Sequence, residues 1–208
     1  VVNPTHFKKE ESNIYAHLKE AIKNFKLNEK LRLVSIGSVL GEGIGEASFL
    51  FRASFVASLW PIWAIGLTQV ISNVGAAISF KYSGNLIGKF KETIWLIIGG
   101  VYSRLISLVA LFFPNILSPA LMTSTSLFYG VGQVSKGSLM QKEFTNQQRA
   151  TMGSLNSLAG NIFFAIFAII LGYFADLTNP RVALIVVNLI QFFTVWIFWK
   201  LHQLDKKV

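Results

Sequence analysis

Two acidic residues in the first apolar stretch are the strongest chemical signal in the sequence. Glu42 and Glu46 lie four residues apart, so they share one face of a helix, and Gly41, Gly43 and Gly45 surround them. An ionised side chain near the centre of a bilayer costs roughly 2.5 to 3.5 kcal/mol on insertion scales. A carboxylate removed from water binds a proton more readily than one in water, and two neighbouring carboxylates repel each other. The pair could therefore carry a coupling proton or bind a positively charged substrate.

A structural explanation for the same pair stays open. Arg104 interrupts the third apolar stretch, and Arg52 follows the first. At about 1.5 Å per residue, Arg104 reaches a depth similar to that of Glu42. Either arginine could form a structural ion pair with one of the two glutamates inside a helix bundle. Arg104 is therefore a candidate for a structural ion pair.

Uncharged polar residues in the other stretches give weaker signals. Gln69 and Asn73 share a face of the second stretch, Gln133 lies in the fourth and Asn156 in the fifth. These side chains could line a polar route through a membrane. Side-chain amides also hold helices together in lipid without contacting a substrate, and for each of them this alternative stays open.

Apolar stretches of membrane-spanning length must position these residues. The six stretches cover residues 33–51, 60–80, 93–113, 119–135, 150–175 and 182–199, close to the ~20 apolar residues that a bilayer core requires of a helix. Hydrophobic residues make up 52% of the chain and charged residues 14%, an improbable composition for a soluble domain. The sequence predicts an all-α, polytopic membrane protein with a six-transmembrane-helix bundle over residues 33–201. A cytoplasmic linker with an amphipathic helix (1–32) would precede it, and a cytoplasmic tail (202–208) would follow.

The distribution of positive charge predicts the orientation of this bundle. All but three of the 19 Lys and Arg residues fall on the side that carries both termini, the exceptions being Arg52, Arg104 and Arg181. The positive-inside rule then predicts that both termini lie in the cytoplasm. We expect a multi-pass protein of the plasma membrane or cell inner membrane, with membrane lipid as a partner. Because the basic residues lie in short segments between apolar stretches, no nucleic-acid partner is expected.

Several kinds of chemistry are disfavoured by composition. The chain has no Cys, which excludes disulfides and thiolate metal sites, and its three His residues lie outside the apolar stretches. An intramembrane protease of the Ser–His type would need a histidine in a span. No G-x-x-x-x-G-K-[ST] loop indicates a nucleotide-driven pump. We predict no enzyme, no metal site and no cofactor.

The pattern as a whole resembles the C-terminal six-helix half of a major facilitator superfamily (MFS) transporter. The resemblance rests on the basic lead-in, the loop at residues 83–91, the run at 149–156 and the segment 172–176. Gly84, Lys89 and Phe90 fit the cytoplasmic loop motif of that family, whereas Gly88 stands where Asp is expected and Lys91 where a later Gly is expected.

The resemblance implies secondary active transport of a small molecule by alternating access, with a missing N-terminal six-helix half as partner. The acidic residues of the first stretch make proton coupling the expected mode of this transport. Spans one, two, four and five would line the cavity, making Glu42, Glu46, Gln69, Asn73, Gln133 and Asn156 site candidates. Spans three and six would support them, giving Arg104 a structural role. The alternative is a self-contained six-span protein, acting as a homodimeric pore or scaffold through small-residue faces such as Gly130 and Gly132.

Overall fold

The computed structural model describes residues 14–144 and 149–206, and every regular element in these ranges is helical. The helices are α1 (Ile14–Leu27), α2 (Glu29–Ala57), α3 (Ala64–Lys89), α4 (Glu92–Phe112), α5 (Ser118–Ser124), α6 (Tyr129–Glu143), α7 (Arg149–Leu177), α8 (Pro180–Ile190) and α9 (Phe192–Asp205). A 3-10 turn, Thr125–Phe128, joins α5 to α6. The all-α prediction is confirmed. Residues 1–13 of the predicted linker and 207–208 of the predicted tail lie outside the described residues.

Four helices of the described chain are long and apolar enough to cross a membrane. They are Glu29–Ala57, Glu92–Phe112, Thr151–Leu177 and the consecutive α8 and α9 taken together, Pro180–Asp205. The second predicted span corresponds to the 26-residue helix α3, which carries Gln69, Ser72 and Asn73. The fourth corresponds to α5, the 3-10 turn and α6, and is thus divided into short pieces. These two regions are the more polar or interrupted parts of the bundle.

Helix α2 lies at the centre of the packing. It contacts α7 most extensively, and also α6, α8 and α9, while α3 packs against α6 and α4 packs against α9 and α6. One apolar core joins Ile44 and Ala47 of α2 to Leu171 of α7 and Val187 of α8. On its outer side, α7 exposes a row of isoleucines, including Ile169, which is 75% exposed. An exposed apolar face of this kind is expected where a helix contacts lipid.

Glycines allow two helix pairs to approach closely. A Cβ added at Gly43 of α2 would lie 2.6 Å from the Phe163 ring and 3.0 Å from the backbone nitrogen of Phe164 in α7. A Cβ at Gly130 of α6 would collide with the backbone of Ser79 and Phe80 in α3. Small residues at such contacts are typical of helix pairs in membranes. Gly130 therefore packs against another helix of the same chain, whereas a Cβ at Gly132 would meet nothing within 4 Å. Self-association through small-residue faces stays a prediction.

Side-chain caps set the start of two helices. Asn28 Oδ1 accepts a hydrogen bond from the backbone nitrogen of Leu31 at the start of α2. Asn179 Oδ1 accepts one from Val182 at the start of α8, where Pro180 occupies the first turn. Pro suits this position because it lacks the amide hydrogen that would otherwise be unpaired there.

Two helices continue past the apolar stretches that predict them. The second stretch ends at residue 80 and a loop is predicted at 83–91, but α3 extends to Lys89 and only Phe90 and Lys91 separate it from α4. The fourth stretch ends at residue 135, yet α6 continues through Lys136 to Glu143. Polar residues ended the apolar stretches, but they do not stop a helix as a proline would, and residues 81–89 and 136–143 contain no proline.

Ion pairs join helix ends on one side of the bundle. Lys30 of α2 lies 2.8 Å from Asp205 of α9, and Lys142 of α6 lies 2.5 Å from Glu92 of α4. These residues all belong to the side that the charge distribution predicts to be cytoplasmic. At the other side, Arg181 Nε donates to the Leu111 carbonyl oxygen at 2.6 Å, which satisfies the C-terminal end of α4.

Candidate functional site

A cavity of about 450 Å³ lies between the helices and is partly open to the outside. Side chains from α2, α3, α4, the α5–α6 segment and the α8–α9 segment line it. Its volume falls in the range of ordinary small-molecule sites. Five charged residues contribute to its wall: Glu42, Glu46, Arg52, Arg104 and Lys136.

Glu42 forms an ion pair across the cavity wall. Lys136 Nζ lies 2.8 Å from Glu42 Oε1, and the side chains of Lys136 and Glu42 are 13% and 37% exposed. The pair joins α2 to α6. The sequence had suggested Arg104 or Arg52 as the partner of an acidic residue, and this suggestion is wrong for Glu42. Lys136 was missed because it was counted with a cytoplasmic loop, whereas the longer α6 carries it into the bundle.

Glu46 lies one helical turn beyond Glu42 and also lines the cavity. Within the part of the chain that the structure describes, no ion pair or hydrogen bond involves its carboxylate. A Cβ added at the neighbouring Gly41 or Gly45 would meet nothing within 4 Å, because both glycines face the cavity. Helix α2 is continuous here. The glycine-rich segment thus leaves open space around the two carboxylates instead of unwinding the helix.

The two arginines of the cavity contact neutral groups. Arg104 donates to Asn188 Oδ1 at 3.4 Å, and Arg52 donates to the Met122 carbonyl oxygen at 3.3 Å. The Arg52 guanidinium also lies 5.8 Å from the centre of the Phe49 ring. Among the described residues, neither arginine has a carboxylate within 4.0 Å. The predicted structural ion pair of Arg104 is therefore not formed within that part of the chain.

Aromatic rings form another part of the wall. Trp95, Phe128 and Tyr129 line the cavity together with Phe49. The rings of Trp95 and Phe128 have their centres 6.4 Å apart, and Tyr102 lies 4.9 Å from Phe128 behind them. Aromatic surfaces of this kind bind the apolar part of a ligand, while charged groups fix its orientation.

The other predicted site residues divide between this cavity and other places. Asn73 and Gln133 line it, whereas Gln69 does not. Asn156 lies in a separate apolar pocket between α1, α2 and α7 and donates to Ser35 Oγ at 3.3 Å. The predicted loop-motif residues are found elsewhere: Gly84 and Lys89 in the last turns of α3, and Phe90 directly after them.

The helices that line the cavity differ from those that the family resemblance implies. Residues of α4, the third predicted span, line it extensively, including Gly99, Gly100 and Ser103. Helix α7, the fifth predicted span, contributes none. The close α2–α7 contact at Gly43 fills the space on that side, which explains the difference. Arg104, expected to be a supporting residue, thus belongs to the cavity wall.

The arrangement can bind charged or polar small molecules, and its carboxylates can exchange protons. It offers little to a metal ion, since no three His, Asp or Glu side chains come together in residues 14–144 and 149–206. Comparisons of the chain with protein-family models, with curated proteins and with solved structures find no match. Its function must therefore be inferred from the residues and the geometry of this chain.

Proposed function

We propose that this chain forms a six-helix membrane bundle of a secondary transporter, which moves a small molecule by alternating access in the manner of the MFS. The cavity with five charged residues carries this proposal. Each ionised group inside an apolar bundle lowers its stability, so a set of five around an open space is best explained by a bound and released ligand. A scaffold would gain nothing from the open space.

Proton coupling is the second part of the proposal. Glu42 holds Lys136 by a 2.8 Å ion pair that joins α2 to α6. Protonation of Glu42 would remove the negative charge and release Lys136, so a proton would weaken the contact between the two helices. Glu46, whose carboxylate lines the same cavity, is the second proton acceptor in this account. Proton binding would thus change both the charge of the cavity and the attachment of α6.

The proposed membrane arrangement has six spans and both termini in the cytoplasm of a plasma or cell inner membrane. In addition to the four helices that qualify by length and composition, α3 and the α5–α6 segment would cross as spans two and four. The contacts of α3 with the α5–α6 segment, and of that segment with α4, support this assignment, since these helices complete the wall of the cavity. A second six-helix bundle would be the partner.

A self-contained six-span pore is the other candidate, and one observation favours it. All the helices that line the cavity belong to this one chain. Helix α7 does not line it and exposes its isoleucines on the outside of the bundle. A cavity internal to one bundle does not require a second bundle to complete it. A pore and an alternating-access transporter differ in whether the cavity opens to both sides at the same time.

The transporter proposal can be tested before the substrate is identified. Membrane vesicles from cells that express the protein are given a pH gradient in a mixture of small metabolites, and the retained solutes are measured by mass spectrometry. We expect at least one solute whose movement depends on the protein and stops in Glu42→Gln or Glu46→Gln. Glu29→Gln is the matched control, since Glu29 lies on the same helix, outside the cavity, 3.1 Å from Lys200.

If no solute depends on the protein, the transporter proposal fails. If a solute moves and both cavity variants leave its gradient-driven movement unchanged, the proton-coupling part fails and the Glu42–Lys136 pair has only a packing role.

A further inference from the structure

Arg52 and Arg104 bring positive charge to the cavity without a negatively charged partner. Each guanidinium has five N–H donors. The structure gives each of them a single hydrogen bond within the described residues, at 3.3 Å for Arg52 and 3.4 Å for Arg104. Both distances exceed the ordinary range for such bonds, and both acceptors are neutral. Most of the donors of the two guanidiniums therefore remain available to a ligand.

Two local contacts direct these donors. Asn188 is buried and donates its own Nδ2 hydrogen to the Leu184 carbonyl oxygen at 2.8 Å, which turns Oδ1 toward Arg104. The Phe49 ring lies beside the Arg52 guanidinium. Both arginines line the same cavity. An anion bound in that cavity is attracted by both positive charges.

Within the described residues, neither carboxylate of the cavity forms an ion pair with the two arginines. Glu42 is already paired with Lys136 at 2.8 Å. Glu46 precedes Arg52 by six residues on α2, which corresponds to a separation of roughly 9 Å along the helix axis. The cavity thus has a positive end at Arg52 and Arg104 and a carboxylate farther along α2.

We propose that Arg52 and Arg104 together bind the anionic group, a carboxylate or a phosphate, of a small organic anion whose apolar part contacts aromatic rings that line the same cavity. Planar guanidiniums bind such oxyanions through paired hydrogen bonds. This inference rests on the proposed function, because it names the substrate class of the same cavity. The volume of about 450 Å³ accommodates a molecule with one ring and one or two charged groups.

Four probes of matched size test the proposal: benzoate, phenyl phosphate, benzyl alcohol and benzylammonium. Their equilibrium binding to the purified protein in lipid nanodiscs is measured without any gradient. We expect the two anions to bind at least tenfold more tightly than the neutral alcohol, and the cation to bind most weakly. Equal binding of all four, preference for benzylammonium, or no binding of either anion would overturn the proposal.

Variants then locate the binding. Arg52→Gln and Arg104→Gln should each weaken anion binding roughly ten- to a hundredfold, since a hydrogen bond to a charged group contributes that much. Arg52→Lys keeps the charge but not the planar donor pair, so its loss should be smaller. Lys89→Gln, at the exposed end of α3 and outside the cavity, is the control. Anion binding that survives both Gln substitutions would contradict the site. The ranking of probes on the unaltered protein remains decisive if a variant does not fold.

The two proposals can fail separately. Tight anion binding together with no protein-dependent solute movement in the vesicles would contradict the transporter and leave the anion site standing. Movement confined to neutral or cationic solutes, with no anion binding, would contradict the anion site alone.

Discussion

Lys136 Nζ lies 2.8 Å from Glu42 Oε1, so one ion pair connects α2 with α6 at the wall of the central cavity. Lys136 is the more enclosed partner, with 13% of its side chain exposed against 37% for Glu42. A lysine held this far inside a bundle depends on its counter-charge. The pair therefore links the charge state of the cavity to the contact between two helices that line it.

Separate removal of each partner of this pair should lower stability. Lys136→Met leaves Glu42 without its counter-ion, and Glu42→Gln leaves Lys136 charged and enclosed. We expect each to lower the free energy of unfolding by about 1 to 2 kcal/mol, less than a fully buried pair would lose, because Glu42 is partly exposed. In the double variant, the free energy of unfolding should fall by less than the sum of the two single losses. Additive losses in this double-mutant cycle, measured by denaturation in detergent, would contradict the coupling.

The α3–α6 contact should be sensitive to one methyl group. Gly130→Ala places a Cβ against the backbone of Ser79 and Phe80, so the two helices must separate, at a cost of roughly 1 to 3 kcal/mol. Gly132→Ala is the matched control on the same helix, where a Cβ meets nothing within 4 Å. Thermal unfolding of both variants checks this prediction. Equal melting temperatures of the two variants would show that α3 and α6 are not closely packed at Gly130.

A buried glutamine should be replaceable with a gain in stability. Gln191, at the junction of α8 and α9, is 1% exposed, and neither side-chain polar atom has a partner among the described residues. Because an unpaired buried polar group costs about 1 to 3 kcal/mol, Gln191→Met should raise the melting temperature. Asn188→Leu, which removes a buried side chain that does form hydrogen bonds, should lower it. A lower melting temperature in both variants would mean that the Gln191 side chain does form hydrogen bonds.

The proposed orientation can be measured directly, since the chain has no Cys of its own. Single-cysteine variants Lys89→Cys, at the end of α3, and Asn115→Cys, between α4 and α5, should react with a membrane-impermeant thiol reagent from opposite sides of sealed vesicles. Both positions are exposed and outside the cavity. Reaction of both from the same side would contradict the assignment of α4 as a membrane span.

The sequence predicted the helical class and several cavity residues because these depend on local patterns. The spacing of Glu42 and Glu46 within an apolar stretch was enough to identify them, and Asn73, Gln133 and Arg104 also reach the cavity. The start of α8 at Asn179 and Pro180 likewise depends on local capping chemistry.

The partner of Glu42 could not be obtained in this way. Lys136 follows the fourth apolar stretch and belongs, by composition, to a loop, but α6 continues past it and turns it toward α2. The sequence also could not predict which helices enclose the cavity, because the close approach of α2 and α7 at Gly43 depends on packing. Long-range contacts of this kind leave no signal in the spacing of residues along the chain.

The most direct test of the transporter account is the accessibility of a single cysteine in the cavity. Ser103→Cys, on the wall formed by α4, is labelled with an impermeant thiol reagent from each side of the membrane at two pH values. Ile169→Cys, at an exposed apolar position that the account assigns to the lipid, is the unreactive control. Alternating access predicts that Ser103→Cys reacts from both sides, that a change of pH shifts the reaction from one side to the other, and that the membrane stays sealed to ions. Reaction from neither side, or from both sides with pH-independent rates and an ion leak, would contradict the account and favour a closed scaffold or a pore.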